Sequence, residues 1–147
     1  MIKEYKEILK QKLEYAIQQN LESSKRIPVE LPVALENYVL RHPVGAYLII
    51  YKGSNYANKD LKNAVAQNRD MEFYVVVAAR HRTDHTPEDY LDFAIDTLSG
   101  IEIEAIRTDR KIYCKEDEWL KEENGEWWYA ATFVVPSEFF EQNLRAQ

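Results

Sequence analysis

The sequence predicts an α+β domain in which a mainly antiparallel β-sheet is covered by two or three helices, and three observations predict it. Two segments, Ile2 to Leu21 and the stretch between Thr86 and Gly100, repeat apolar residues at helical spacing. Two runs, Ala46 to Tyr51 and Phe73 to Ala79, are apolar on both faces and rich in strand-forming residues. Trp127 to Val135 alternates with a period of two. Helix, strand, strand, helix, strand, strand is an order in which neighbouring strands pair directly, which favours an antiparallel sheet.

Tyr5, Ile8, Leu9, Leu13, Ala16, Ile17 and Leu21 share one face of the first helix, with Lys3, Lys6, Glu7, Lys10 and Glu14 opposite. Glu22 to Arg26 breaks that pattern, and Pro28 and Pro32 bias the chain between them towards a short edge strand or loop. The run Ala46 to Tyr51 is a buried strand, and Lys52 to Asn68 is expected to be a long polar loop because its apolar residues are too scattered to make a face. Phe73 to Ala79 is a second central strand, ended by the charged Arg80 to Asp84. Thr86-Pro87-Glu88-Asp89 is a helix start with a capping hydroxyl, proline in the first turn and acids at the positive helix end. Tyr90, Leu91, Ala94, Ile95 and Leu98 form its buried stripe, and Gly100 supplies the stop. Ile101, Ile103 and Ala105 alternate with Glu102 and Glu104 as a strand with one wet face, continued by Lys111 to Lys115. An acid-rich loop from Glu116 to Glu126 follows, with Asn124-Gly125 suited to a tight hairpin turn. Trp127, Tyr129, Ala131, Phe133 and Val135 then line one strand face.

With 147 residues, 46% of them hydrophobic and 30% charged, the chain can bury a core as a single domain over residues 1–147 without a metal or disulfide staple. No apolar run approaches the roughly 20 residues that span a bilayer, and the first residues lack the apolar centre of a signal peptide. One cysteine, Cys114, permits neither an internal disulfide nor a paired thiol motif, which fits a reducing cytoplasm. The net charge of −6 is uneven: +3 over residues 1–81, −8 over 82–126 and −1 over 127–147. That acidic middle argues against a nucleic-acid surface, because such affinity is carried by clustered Lys and Arg.

Catalytic patterns are sparse. His81 and His85 flank Asp84 at a spacing that would suit a metal on a helix, but the segment lies between a strand end and a helix cap. The four glycines never cluster into a phosphate cradle, no serine sits in a nucleophile elbow, and the acids from 116 to 126 lack the pattern of a calcium loop. No cofactor is expected. Ten Tyr, three Trp and five Phe are a heavy aromatic load, and the adjacent Trp127 and Trp128 must face opposite sides of a strand. They are either buried by a sheet covered on both sides or part of a protein contact.

One series of motifs carries a family resemblance. It runs from a strand ending Tyr51-Lys52-Gly53-Ser54 through Gln67-x-Arg69-x-x-x-Phe73-x-Val75-x-Val77-x-x-Arg80 to a helix ending Leu98-Ser99-Gly100. It closes with Gly125-x-Trp127-x-Tyr129-x-x-x-Phe133-x-Val135. In this order, over about residues 1 to 136, the chain resembles the tail terminator proteins of Mu-like, contractile-tailed bacteriophages and tailocins, and more distantly the lambda-type terminators. The resemblance implies a tail-terminator-like α+β fold and a structural protein without catalysis. It implies a hexameric ring on the head-proximal end of the tail that stops polymerisation and offers the head or neck a docking surface. The implied partners are further copies of the chain, the tail tube protein, the tail sheath protein and neck or connector proteins, with no membrane and no sequence-specific nucleic acid. The implied location is the tail or neck of a virion assembled in the bacterial cytoplasm.

Within that frame, subunit and tube contacts are expected at Tyr51, Lys52, Gly53, Ser54, Asn55 and Tyr56, and at Lys59 and Lys62 further along the same stretch. Further contacts are expected at Arg69, at Arg80 and Arg82, and in the acidic stretch at Glu116, Asp117, Glu118, Trp119, Glu122 and Glu123. Ordinary strand-end solvation is the alternative for Arg69 and Arg80, and turn geometry for Gly53. Two other functions stand beside the terminator: another neck or head–tail connector subunit, and a small metal-dependent enzyme using His81 and His85.

Overall fold

The computed structural model describes residues 1–58, 66–102 and 111–140. Helix α1 (Ile2–Asn20) buries Tyr5, Leu9, Leu13 and Ile17, every fourth residue along one stripe. A single 3₁₀ turn, Ser23–Lys25, leads to the short strand β1 (Val29–Glu30). Then come β2 (Gly45–Asn58), β3 (Ala66–Arg80), α2 (Pro87–Leu98), β4 (Tyr113–Glu123) and β5 (Glu126–Phe140). The described strands form one sheet in the order β1-β2-β3-β5-β4, with β1 parallel to β2 and every other neighbour antiparallel. The expected α+β class is therefore the observed one.

Both helices lie on the same side of the sheet. Tyr47, Ile49, Phe73, Val75, Val77, Ala131, Phe133 and Val135 point towards them and form one apolar layer with the stripes of α1 and α2. The Tyr47 hydroxyl, buried in that layer, donates to the Tyr90 carbonyl at 2.5 Å and ties β2 to α2. The opposite face carries a smaller layer of Ala46, Leu48, Val76, Ala78, Trp128 and Ala130. No helix covers it among the described residues; Leu35, Tyr38 and Leu40, from the coil between β1 and β2, do so instead. Trp128 is thus buried and Trp127 half-buried, which places Trp128 in a second core rather than at a contact.

The start of α2 follows its sequence. Thr86 caps the helix by accepting from the Asp89 amide, and the Asp89 carboxylate accepts in return from the Thr86 amide, with proline in the first turn. Asn124 and Gly125 both take positive φ, 54° and 81°, as a two-residue hairpin turn requires.

Two expectations need correction. Lys52 to Asn68 is not a loop throughout: β2 runs on to Asn58 and β3 begins at Ala66, in register down to Asn58 opposite Gln67. Pairing with β3 carries the strand on through a stretch whose apolar residues are too scattered to display a face. Nor is Glu116 to Glu126 a loop, because β4 continues through Glu123 to the turn. β4 is an edge strand with its side chains largely in water, a position where charge is favoured because it discourages indiscriminate pairing. The strand expected at Ile101, Ile103 and Ala105 is only partly testable: Ile101 precedes the strand and its carbonyl accepts from the Ile112 amide, while Ile103 and Ala105 lie outside the described residues.

Candidate functional site

The stretch Tyr51 to Tyr56 is shaped by a bulge. Tyr51 pairs with Phe73 and Gly53 with Glu72, so Lys52 is the extra residue on its strand. Gly53 takes φ +150°, a conformation side-chain-bearing residues seldom adopt. The bulge sends Lys52 to the helix-free face while Tyr51 and Ser54 stay on the helix side.

On the helix side, three of the expected contact residues meet. The Tyr51 hydroxyl and Ser54 Oγ are 2.5 Å apart, Arg69 Nε donates to Ser54 Oγ at 3.2 Å, and Arg69 Nη2 reaches the Tyr51 hydroxyl at 3.5 Å. The guanidinium also lies 5.7 Å from the centre of the Tyr56 ring. Burial alone would raise the Tyr51 phenol, but its bonds with Ser54 and Arg69 and the Arg69 charge outweigh that and lower it.

On the helix-free face, Glu72 is 5% exposed and surrounded by polar partners. Asn55 Nδ2 donates to it at 2.5 Å, Lys115 Nζ lies at 3.2 Å and Lys52 Nζ at 3.7 Å. Lys52 also pairs with Glu116 at 3.5 Å and stands 4.9 Å from the centre of the Tyr74 ring. Burial would lower the Lys52 ammonium, but Tyr74, Glu72 and Glu116 together raise it. Sequence reasoning missed Glu72, Tyr74 and Lys115. The available signal was a lone carboxylate directly before the apolar run Phe73 to Ala79, in a strand that leaves it no route to bulk water.

Arg80 and Arg82 tie neighbouring coil segments to the end of β3. Arg80 Nη1 donates to the carbonyls of His42 at 2.8 Å and Pro43 at 3.1 Å, and Arg82 Nη1 donates to the Ser24 carbonyl at 3.0 Å. Along β4, Asp117, Glu118 and Glu122 are exposed, and Glu123 pairs with Lys121 at 3.3 Å. Lys121 stands 4.6 Å from the centre of the Trp128 ring. Trp119 is 57% and Tyr113 47% exposed, a large aromatic area for an edge strand. Lys59 and Lys62 lie outside the described residues.

His81 and His85 flank a turn closed by a bridge between Arg82 and His85, so the helical spacing of a metal pair does not arise. The His85 ring packs edge-on against Tyr90 at 4.2 Å, its Nδ1 lies 3.9 Å from Asp89, and its Nε2 is buried without a hydrogen-bond partner. Among the described residues no three His, Cys, Asp or Glu side chains gather as a metal site would require.

The geometry therefore yields one polar cluster on the helix side of β2 and β3, a second that runs across the helix-free face from β2 to β4, and an acidic edge strand with exposed aromatics. A family model described as "Gp37 protein" matches residues 24–146. The chain belongs to the Gp37 protein family. Membership makes it a phage-related protein. The Gp37 match takes in all five strands and α2, and begins beyond the end of α1. Comparison with curated proteins gives no match.

Proposed function

We propose that this Gp37 family protein is a tail terminator, a structural rather than enzymatic component that forms a ring on the head-proximal end of a phage tail. There it halts polymerisation and receives the head or neck. The observation that carries the reading is the unlikeness of the two flanks of the sheet. One ends in the Tyr51 to Tyr56 extension and the other in acidic β4 with its exposed Trp119. A ring closed by rotation needs two complementary surfaces on opposite flanks, whereas a two-fold dimer needs one surface that complements itself. Under this reading the partners are neighbouring copies through the flanks, and the tail tube, sheath and neck proteins through the ends of the ring.

The test is tail length by electron microscopy in particles made without the gene. Overlong or headless tubes are the expected result. Tails of normal length with detached heads would move the protein to the connector, and normal infectious particles would overturn both assignments.

A further inference from the structure

Among the described residues the sheet has two open edges. Beyond β4 no strand follows among the described residues, which leaves the outer backbone groups of Tyr113–Glu123 without a strand partner. β1 covers β2 only at Tyr47 and Leu48, so among the described residues no strand pairs the outer side of β2 from Ile50 to Asn58. β1 itself is two residues long and set between Pro28 and Pro32, a device that blunts an edge against further pairing. The two long edges carry no such proline.

Charge separates the ways in which these edges can meet. β4 carries five acids, Glu116, Asp117, Glu118, Glu122 and Glu123, against Lys115 and Lys121. β2 carries a single charged side chain, Lys52, and no acid. Two β4 strands side by side would set like charges together, whereas β4 beside β2 brings net negative to net positive. Direction agrees. β2 to β3, β3 to β5 and β5 to β4 are three successive antiparallel steps, so β4 runs opposite to β2. A copy placed by rotation therefore offers an antiparallel partner.

We propose that β4 of one copy adds antiparallel along the outer side of β2, at Ile50 to Asn58, of the next, so that neighbouring subunits continue one sheet. The inference rests on the ring reading above and names the surfaces that close it. With the two stretches centred on one another, an inclination follows. Glu118, the middle of β4, is level with Leu48 through Ala130 and Val76, whereas the middle of the outer β2 stretch is Ser54. The offset of about six residues is roughly 20 Å along the strands, against roughly 19 Å across four strands. Strands would then tilt about 45° to the ring axis, close to the inclination that closed β-barrels adopt.

The test is cross-linking of the purified full-length chain with native Cys114 replaced by Ser. Asp117→Cys and Ser54→Cys lie on the helix side of their strands, and Glu118→Cys and Asn55→Cys form a second pair on the other face should the first disturb the Arg69 cluster. With a short bis-maleimide, either double variant should give a ladder of covalent oligomers. An equal mixture of the matching single variants should stop at dimers, and each single variant alone should stay monomeric. Self-cross-linking of the Asp117→Cys variant alone would overturn the proposal in favour of a β4–β4 dimer. Oligomers by light scattering with no ladder would overturn it in favour of another surface, and a monomer up to millimolar concentration would overturn it outright. Failure of the terminator reading shows in tail length and leaves a ladder intact, so the two failures are distinguishable.

Discussion

Lys52 Nζ lies 3.5 Å from Glu116 Oε1 although β3 and β5 stand between their strands. In a flat sheet the two backbones would be roughly 14 Å apart, three strand spacings. The two long side chains, lying inward across β3 and β5 on the helix-free face, span that gap. Glu72 sits in the trough between them with its side chain 7% exposed, while Lys52 and Lys115 remain 31% and 46% exposed.

Removing the buried partner should therefore cost more than removing a rim lysine. Glu72→Ala should lose about 2 kcal/mol, because it removes the carboxylate that accepts from Asn55 and Lys115 and opens a gap beneath Lys52. Lys52→Met should lose less than about 1 kcal/mol, since its charge is shared with solvent. Urea denaturation of both variants measures the difference, and equal midpoints would show that the trough is not held by the carboxylate.

His85 gives the protein a pH dependence with a defined sign. Burial lowers its imidazole, against the opposing pull of Asp89. The unfolded chain takes up the proton near pH 6.5 while the folded chain resists it, so this stabilisation is complete above about 6.5 and is lost as pH falls through the lower folded value. His85→Phe keeps a ring against Tyr90 and should flatten the melting temperature across that window. Asp89 acts lower down. The hydrogen bond from the Thr86 amide lowers its carboxyl, so its contribution is complete above about pH 3.9 and disappears as pH falls through its folded value. A melting series of His85→Phe that still drops between pH 6.5 and 5 would show that another group is responsible.

Gly45 opens β2 where a larger residue has no room. A Cβ there would stand 2.7 Å from the Ala78 carbonyl oxygen and 2.9 Å from the Ala79 Cβ, and neither atom is the end of a flexible side chain. Gly45→Ala should cost about 1–3 kcal/mol through forced separation of β2 from β3. Thermal unfolding measures this, and an unchanged melting temperature would mean that the strands yield freely.

Trp119 distinguishes folding from assembly. It is 57% exposed in the single chain, so Trp119→Ala should leave chemical stability within about 0.5 kcal/mol of the parent. If β4 is a subunit contact, the same change should weaken self-association at least tenfold by sedimentation. Full association with Trp119 removed would take that side chain out of the interface.

Local signals were legible in the sequence and tertiary ones were not. The cap at Thr86, the stripe of α1, the turn at Asn124-Gly125 and the alternation from Trp127 to Val135 each depend on neighbours a few residues apart, and the structure carries all four. The far end of β2 and the part of β4 beyond Lys115 are extended by backbone pairing, and their scattered apolar residues left no periodic trace. Of the expected contact residues, Tyr51, Ser54, Tyr56 and Arg69 do gather, whereas Arg80 and Arg82 hold loops to the core. The cluster around Glu72 joins residues 52, 55, 72 and 115, whose nearness is set by strand order and register rather than by any spacing along the chain.

The two apolar layers of the sheet differ in permanence. The helix side is closed by two hydrogen-bonded rods, but the coil over Trp128 has little backbone bonding of its own, such as the Tyr38 amide to the Leu35 carbonyl. It is moored mainly through side chains, with the Tyr38 hydroxyl on Glu30 and Arg80 on the His42 and Pro43 carbonyls. Segments of that kind can open without unfolding the rest, so their amides are expected to exchange deuterium sooner than those of the central strands. Such an opening would bare Trp128, Leu48 and Val76 and leave the helix-side core shut. Local opening would thus offer apolar surface on one side of the sheet alone.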